Sequence, residues 1–167
     1  MKIDIIGSVA SGKTTLAKEL SEIYQVPFYE KDNIVWKRTS GGDVKRSNEE
    51  RDKLFKEILE KDEWIVEGSP RKNLQESFEY CDYIILLDVN TFVRLVRVIR
   101  RWLRQRKGKE PYNSKPTLSF LCLNIKWVFE YNRERESIIN KLSEYKTQYR
   151  RFANADEAKS FIKEIYL

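Results

Sequence analysis

The chain has 167 residues, with 32 Lys plus Arg against 26 Asp plus Glu, a formal charge of +6, 41% hydrophobic residues, two cysteines and no histidine. That length suits one domain with a single core, and the missing histidine removes a Ser-His-Asp triad and a His general base at once. Cys81 and Cys122 lack metal-ligand spacing and read as reduced structural residues, while the longest nearly uncharged apolar run, Tyr83 to Leu87, is far too short for a membrane span; a cytoplasmic protein with no membrane partner is expected.

In chain order, Lys2 to Ile6 predicts a first strand. Gly7-Ser8-Val9-Ala10-Ser11-Gly12-Lys13-Thr14-Thr15 follows at once, a complete match to G-x-x-x-x-G-K-[ST]. Glycines allow a tight turn whose N–H groups point inward, Lys13 offers a mobile cation to terminal phosphates, and Thr14 offers a hydroxyl to Mg²⁺. Residues 13 to 24 keep helical spacing at Leu16, Leu20 and Ile23, so phosphates on the loop would also meet the positive end of a helix. The whole segment, Gly7 to Thr15, therefore reads as nucleotide-binding.

Gln25 to Glu30 predicts a short second strand, and Lys31 to Asn48, with Gly41-Gly42, a loop or short helices over the site. An amphipathic helix is expected over 48–61, capped by Ser47 or Asn48, then strand 64–67, helix 74–80 and strand 83–88. Helix 91–106 is broken by Gly108, Pro111 and Pro116; 117–143 resumes in helical form, and strand 148–152 and helix 155–166 complete the chain. Strand and helix alternate throughout, which implies an α/β fold with a five-stranded parallel sheet and helices on both faces. Its ligand crevice lies beyond the carboxyl ends of the strands, which gathers the glycine-rich loop, Glu30, Asp32, Glu67 to Arg71 and Asp88.

Asp32 is placed to orient or deprotonate an attacking hydroxyl, or else serves only to form the turn, with Glu30 nearer a metal; Glu67 and Asp88 each end a strand where a water-mediated Mg²⁺ ligand is needed, and pattern alone favours Asp88. Arg94, Arg97, Arg100, Arg101, Arg104, Arg106, Lys107 and Lys109 put eight cations into sixteen residues without an acid, a patch that attracts a nucleotide or a nucleic acid.

Taken together, Gly7 to Thr15, Glu67-Gly68-Ser69-Pro70-Arg71 and Arg97-x-x-x-Arg101 resemble the adenylate kinase group of P-loop kinases, whose third-strand motif reads D-G-F-P-R. Phe28-x-Glu30-x-Asp32 is similar to the second-strand end of shikimate-type kinases. Asp32-Asn33-Ile34-Val35-Trp36 with Trp64-Ile65-Val66-Glu67-Gly68 resembles the small kinase-like DNA topology modulation proteins most of all. The resemblance implies a P-loop NTPase three-layer α/β/α fold over 1–167, with an acceptor-side insertion at about 31–48 and a short helical lid at about 104–117.

It implies ATP as phosphoryl donor, Mg²⁺ as cofactor held by Thr14, Glu30 and Glu67, and a small-molecule acceptor, a nucleotide among the candidates. Lys13, Asp32, Arg97 and Arg101 take the catalytic roles, with Arg97 along the base and Arg101 reaching the transferring phosphates. Arg71 would contact an acceptor phosphate, and Arg38, with Lys37 and Arg46, is a further phosphate contact; Trp36 stacks on a base or sugar or else covers the core. The chain departs from the family in Ser69, in a lid without cysteines, and in a second-strand segment that keeps only Asp32 and Arg38 of T-G-D-x-x-R. The rival reading of the same residues is a nucleotide-regulated DNA-binding protein acting on DNA topology; a third is an NTPase without an acceptor.

Overall fold

In a computed structural model that describes residues 1–39, 42–111, 114–145 and 148–166, the apolar run ahead of the first glycine is strand β1 (Lys2–Gly7), buried from Ile3 onward. It lies mid-sheet, parallel to β5 (Trp64–Gly68) on one side and to β6 (Tyr83–Leu87) on the other, with Ile6 opposite Gly68 and Leu86. Strands β2 (Phe28–Glu30) and β7 (Tyr149–Phe152) complete a five-stranded, all-parallel sheet in the order β2-β5-β1-β6-β7. Its central strands are almost wholly apolar because both faces are covered.

One face packs under α2 (Lys31–Val35), α3 (Asn48–Leu59), α4 (Ser77–Tyr80) and the C-terminal half of α6 (Leu118–Ser143), through Ile34, Phe55, Ile58, Phe78 and Leu142. The other packs under α1 (Lys13–Tyr24) and α7 (Ala155–Tyr166), through Leu16, Leu20, Ala158 and Ile162. Helices thus lie on both faces, as a three-layer α/β/α arrangement requires. Each of these Leu, Ile and Phe side chains contributes about 1.5–3 kcal/mol through burial. Among the described residues no helix is long and apolar enough to cross a membrane.

Asp4 breaks the apolar pattern of β1. Its carboxylate accepts a 2.6 Å bond from Lys31 Nζ, both side chains being fully buried, and a second bond from Ser77 Oγ. The Lys31 stem in turn lies against Gly68, where a Cβ would stand 2.7 Å from Lys31 Cβ; only glycine fits there.

Several boundaries differ from the sequence expectation. Strand β2 starts at Phe28 rather than Gln25, because Gln25 turns left-handed (φ 57°) to end α1. The stretch 31–48 holds, besides α2, an antiparallel hairpin of β3 (Trp36–Thr39) and β4 (Gly42–Lys45). Its strands face water on both sides and lack hydrophobic alternation, so nothing in the pattern marked them; Gly41 of the expected turn lies outside the described residues. Ser47, not Asn48, caps α3, in a reciprocal capping box with Glu50. The helix expected at 74–80 is a 3-10 turn (Lys72–Leu74) followed by α4.

The helical lid is also corrected. Helix α5 (Thr91–Arg106) ends where Lys107 and Gly108 (φ 67°) turn the chain, and the described residues from Lys107 to Thr117 form no helix before Thr117 caps α6. Pro111 and Pro116 explain the break. Tyr112 and Asn113, within the expected lid, lie outside the described residues.

Candidate functional site

The loop from Gly7 to Thr15 joins the carboxyl end of β1 to α1. Gly12 caps α1 at φ 100°, a conformation that disfavours any side chain, and Ala10 is also left-handed at φ 59°. No carboxylate occupies the first turn of α1 and no side chain caps it, so its N-terminal amides are left for an external anion. Ser8 and Ser11 are buried, and Ser11 Oγ has no hydrogen-bond partner among the described residues. Lys13, 8% exposed, donates from Nζ to Ser8 O at 2.8 Å.

Glu67, next to last in β5, lies beside this loop and is 4% exposed; its Oε1 accepts a 2.7 Å bond from the Thr14 hydroxyl. Parallel register sets Glu30 of β2 level with it. Burial pushes the Glu67 carboxyl up, against the pull of Lys13 and Thr14, and Glu30 and Asp32 add to the rise. Burial likewise pushes Lys13 down, with Glu67 and Asp32 opposing and Arg101 and Arg94 reinforcing. Glu67, Asp32 and Arg101 thus all act electrostatically on Lys13.

Asp32, exposed in the first turn of α2, accepts a 2.6 Å bond from Arg71 Nη2. Among the described residues no group of three or more His, Cys, Asp or Glu side chains is arranged to hold a metal. The donors present, a threonine hydroxyl and one buried carboxylate, fit a cation that takes its remaining ligands from water and phosphate, which is the habit of Mg²⁺.

Helix α5 contributes arginines from one face. Arg97 Nη1 donates to Ser11 O at 3.1 Å and Ala10 O at 3.4 Å, on the rim of the loop. Arg101 is held by Asn124 Oδ1 of α6 at 2.9 Å. Arg94, which sequence reasoning left in the general basic patch, is 1% exposed and passes beneath the loop: it donates to Ser8 Oγ, to Val89 O at 2.8 Å and to Asn132 of α6. Its signal was spacing, since 94, 97 and 101 share one side of a helix. Asn124 and Asn132 left no sequence signal.

Asp88 is spoken for elsewhere. It accepts bonds from Arg135 at 2.8 and 2.7 Å and from Arg151 at 2.7 Å, a clamp that no local pattern announces. Burial opposes its ionisation, but these two arginines outweigh burial and hold its pKa below the ordinary value. Of the two candidate strand-end acids, Glu67 is the one beside Thr14. In the 31–48 stretch, Trp36 packs against the core, and Arg38 points back to Asp43 and, at 2.9 Å, to Asn33. Lys37 is exposed, whereas Arg46 Nε is buried without a partner among the described residues.

Comparison with known proteins adds the fold. No family model and no curated protein matches the chain. A crystal structure of an uncharacterized protein from Eubacterium ventriosum ATCC 27560 is similar at a TM-score of 0.56 and 14% identity, over 98% of this chain and 96% of that one. That likeness is one of architecture alone.

Proposed function

We propose that this chain is a P-loop NTPase-type kinase that moves the γ-phosphoryl group of ATP, with Mg²⁺, onto a small-molecule acceptor. The observation that carries the reading is the 2.7 Å contact between the Thr14 hydroxyl and the buried Glu67, beside a buried Lys13, at the mouth of a complete G-x-x-x-x-G-K-T loop. Loop amides and the α1 terminus would hold the β- and γ-phosphates, and the Lys13 ammonium would leave Ser8 O for the phosphate oxygens. Thr14 and Glu67, with Glu30 alongside, would hold Mg²⁺, which when bound neutralises charge on those oxygens.

Arg97 and Arg101 approach from α5, and their planar forks suit the remaining phosphate oxygens. An acceptor hydroxyl attacks the γ-phosphorus, its O–H proton passes to the Asp32 carboxylate, and the bond to the bridging oxygen breaks to release ADP. Arg71 orients that carboxylate, and can exchange it for an anionic group of the acceptor. Arg38, committed to Asp43, has no part in this arrangement as it stands.

Screening nucleosides, nucleotides and small metabolites for ATP- and Mg²⁺-dependent ADP release tests the reading. A true acceptor should raise ADP release, and Asp32→Asn should lower that rate by about a hundredfold or more while ATP binding persists. Absence of turnover with every acceptor, together with tight, salt-sensitive retention of DNA, would replace the kinase by the DNA-binding reading.

A further inference from the structure

Among the described residues three cations are buried: Lys13, Lys31 and Arg94. Lys31 is answered by the Asp4 carboxylate 2.6 Å away, both side chains being out of water. The other two form no ion pair among the described residues, and both lie against one residue of the glycine-rich loop: Lys13 bonds the carbonyl of Ser8 at 2.8 Å, and Arg94 bonds its hydroxyl. An arginine is seldom fully buried without a carboxylate, since neutral acceptors return only part of its lost hydration.

Every side-chain hydrogen bond described for Arg94 goes to an uncharged acceptor. Nε donates to Val89 O at 2.8 Å, Nη1 to Ser8 Oγ, and Nη2 to Thr91 Oγ1 at 3.0 Å and to Asn132 Oδ1, while the guanidinium carbon lies 5.3 Å from the centre of the Tyr131 ring. The carboxylate whose field reaches it is Asp88, already shared between Arg135 and Arg151. Burial pushes the pKa of Arg94 down, and Tyr131 and Asp88 do not make up the difference. Arg94 in turn helps to push Lys13 down, so the two cations repel each other across Ser8.

We infer that the missing countercharge arrives with the ligand: Arg94 is a second fixed cation of the phosphate site, a positioning residue that holds Ser8 and draws the phosphate chain onto the loop from beneath it. Lys13 touches the phosphates. Arg94, pinned by its four bonds, supplies charge in a low-dielectric setting and needs no rearrangement when the ligand enters. With a carboxylate beside it, as Lys31 has, that charge would be spent inside the protein. The inference rests on the phosphate-binding reading of the loop and deepens it. Two unpaired cations call for at least two negative charges, so the site takes a di- or triphosphate chain rather than a single carboxylate.

Asn132→Asp isolates this charge. The change is isosteric and outside the loop, it gives Arg94 a carboxylate in place of the amide oxygen it already bonds, and Thr91 Oγ1 can donate where it now accepts. Calorimetry of the full chain with inorganic tripolyphosphate, which has no base, reads the outcome. Wild type should bind, and Asn132→Asp should bind about tenfold or more weakly while the free protein melts at the same or a higher temperature. Asn140→Asp, exposed on the same helix, adds the same charge and should leave affinity within about twofold. Arg94→Lys keeps the charge without the fork and should bind about tenfold more tightly than Arg94→Met. Wild-type affinity in Asn132→Asp, weaker binding with a lowered melt, or Arg94→Lys no better than Arg94→Met would each overturn the inference and leave the phosphate site standing. A wild type that binds neither tripolyphosphate nor ATP would overturn the phosphate site itself, and the inference with it.

Discussion

The two ends of the candidate site are built in opposite ways. At the glycine-rich loop Lys13 is held within the loop by Ser8 O, and the other polar groups are committed to distant parts of the chain: Thr14 to Glu67, Ser8 to Arg94, and the carbonyls of Ala10 and Ser11 to Arg97. Across from it, the β3–β4 hairpin is held chiefly by itself, through Arg38 with Asp43 and Thr39 with Gly42, and its strands are exposed beyond Trp36. Under the proposed reading, the preorganised end would bind the same phosphates for any acceptor, and the self-held hairpin would be where acceptor identity is set. The tether between them is Lys31, which precedes Asp32 and is fixed to Asp4 in β1.

Cutting that tether should have the largest effect. Lys31→Met leaves the Asp4 carboxylate buried without its cation, and unfolding in urea should show a loss of about 3–5 kcal/mol. Replacing both partners, with Asp4→Leu added, should recover most of it, since a well-packed apolar pair is as good or better in such a place. If the double variant recovers stability while acceptor affinity stays low, Lys31 sets the position of Asp32 as well as the fold.

Next in size, Lys13→Met tests the preorganised end. Its ammonium sits in a buried site that depresses its pKa, so its removal relieves a desolvation cost in the free protein and should leave stability equal or higher. ATP affinity measured by calorimetry should nevertheless fall about a hundredfold, which corresponds to about 2.7 kcal/mol. Equal affinity would remove the loop from nucleotide binding and break the comparison at its firmer end.

What could be read from the sequence follows the same division. Gly7 to Thr15 was legible because nearly every residue type in it is demanded by local geometry, and the buried strands because parallel pairing on two faces leaves a bare apolar run. That Glu67 rather than Asp88 is the acid beside Thr14 could be expected only through resemblance. The physical reason is now plain: Arg135 and Arg151, far along the chain, clamp Asp88, and no local pattern records a partner at that separation. The hairpin escaped for the opposite reason, because strands wet on both faces need no alternation. Trp36 was open between ligand and core until its packing put it against the latter.

The Asp88 clamp gives a smaller, pH-dependent effect. Its folded pKa lies below its ordinary value near 3.8, so ionised Asp88 contributes stability that is complete above that value and is lost as the pH falls through the lower folded one. Asp88→Asn should therefore cost about 1–2 kcal/mol at neutral pH. Thermal melts of variant and wild type should draw together below about pH 4. A metal role for Asp88 would instead appear as weakened Mg²⁺-dependent nucleotide binding at neutral pH, with stability intact.

Least disturbing of all to the fold should be Arg38→Ala. The Arg38–Asp43 pair is about one-third exposed on both sides, 34% and 27%, and surface pairs of this kind are worth about 0.2–1 kcal/mol. A change in melting behaviour beyond that range would mean the hairpin is a structural part of the sheet's edge and no flexible tether. With stability unchanged, the acceptor found by screening decides what Arg38 does. A raised KM for that acceptor at constant kcat would mean that the guanidinium trades Asp43 for the acceptor when it binds, and an unaltered KM would confine acceptor recognition to Asp32 and Arg71, next to the preorganised end.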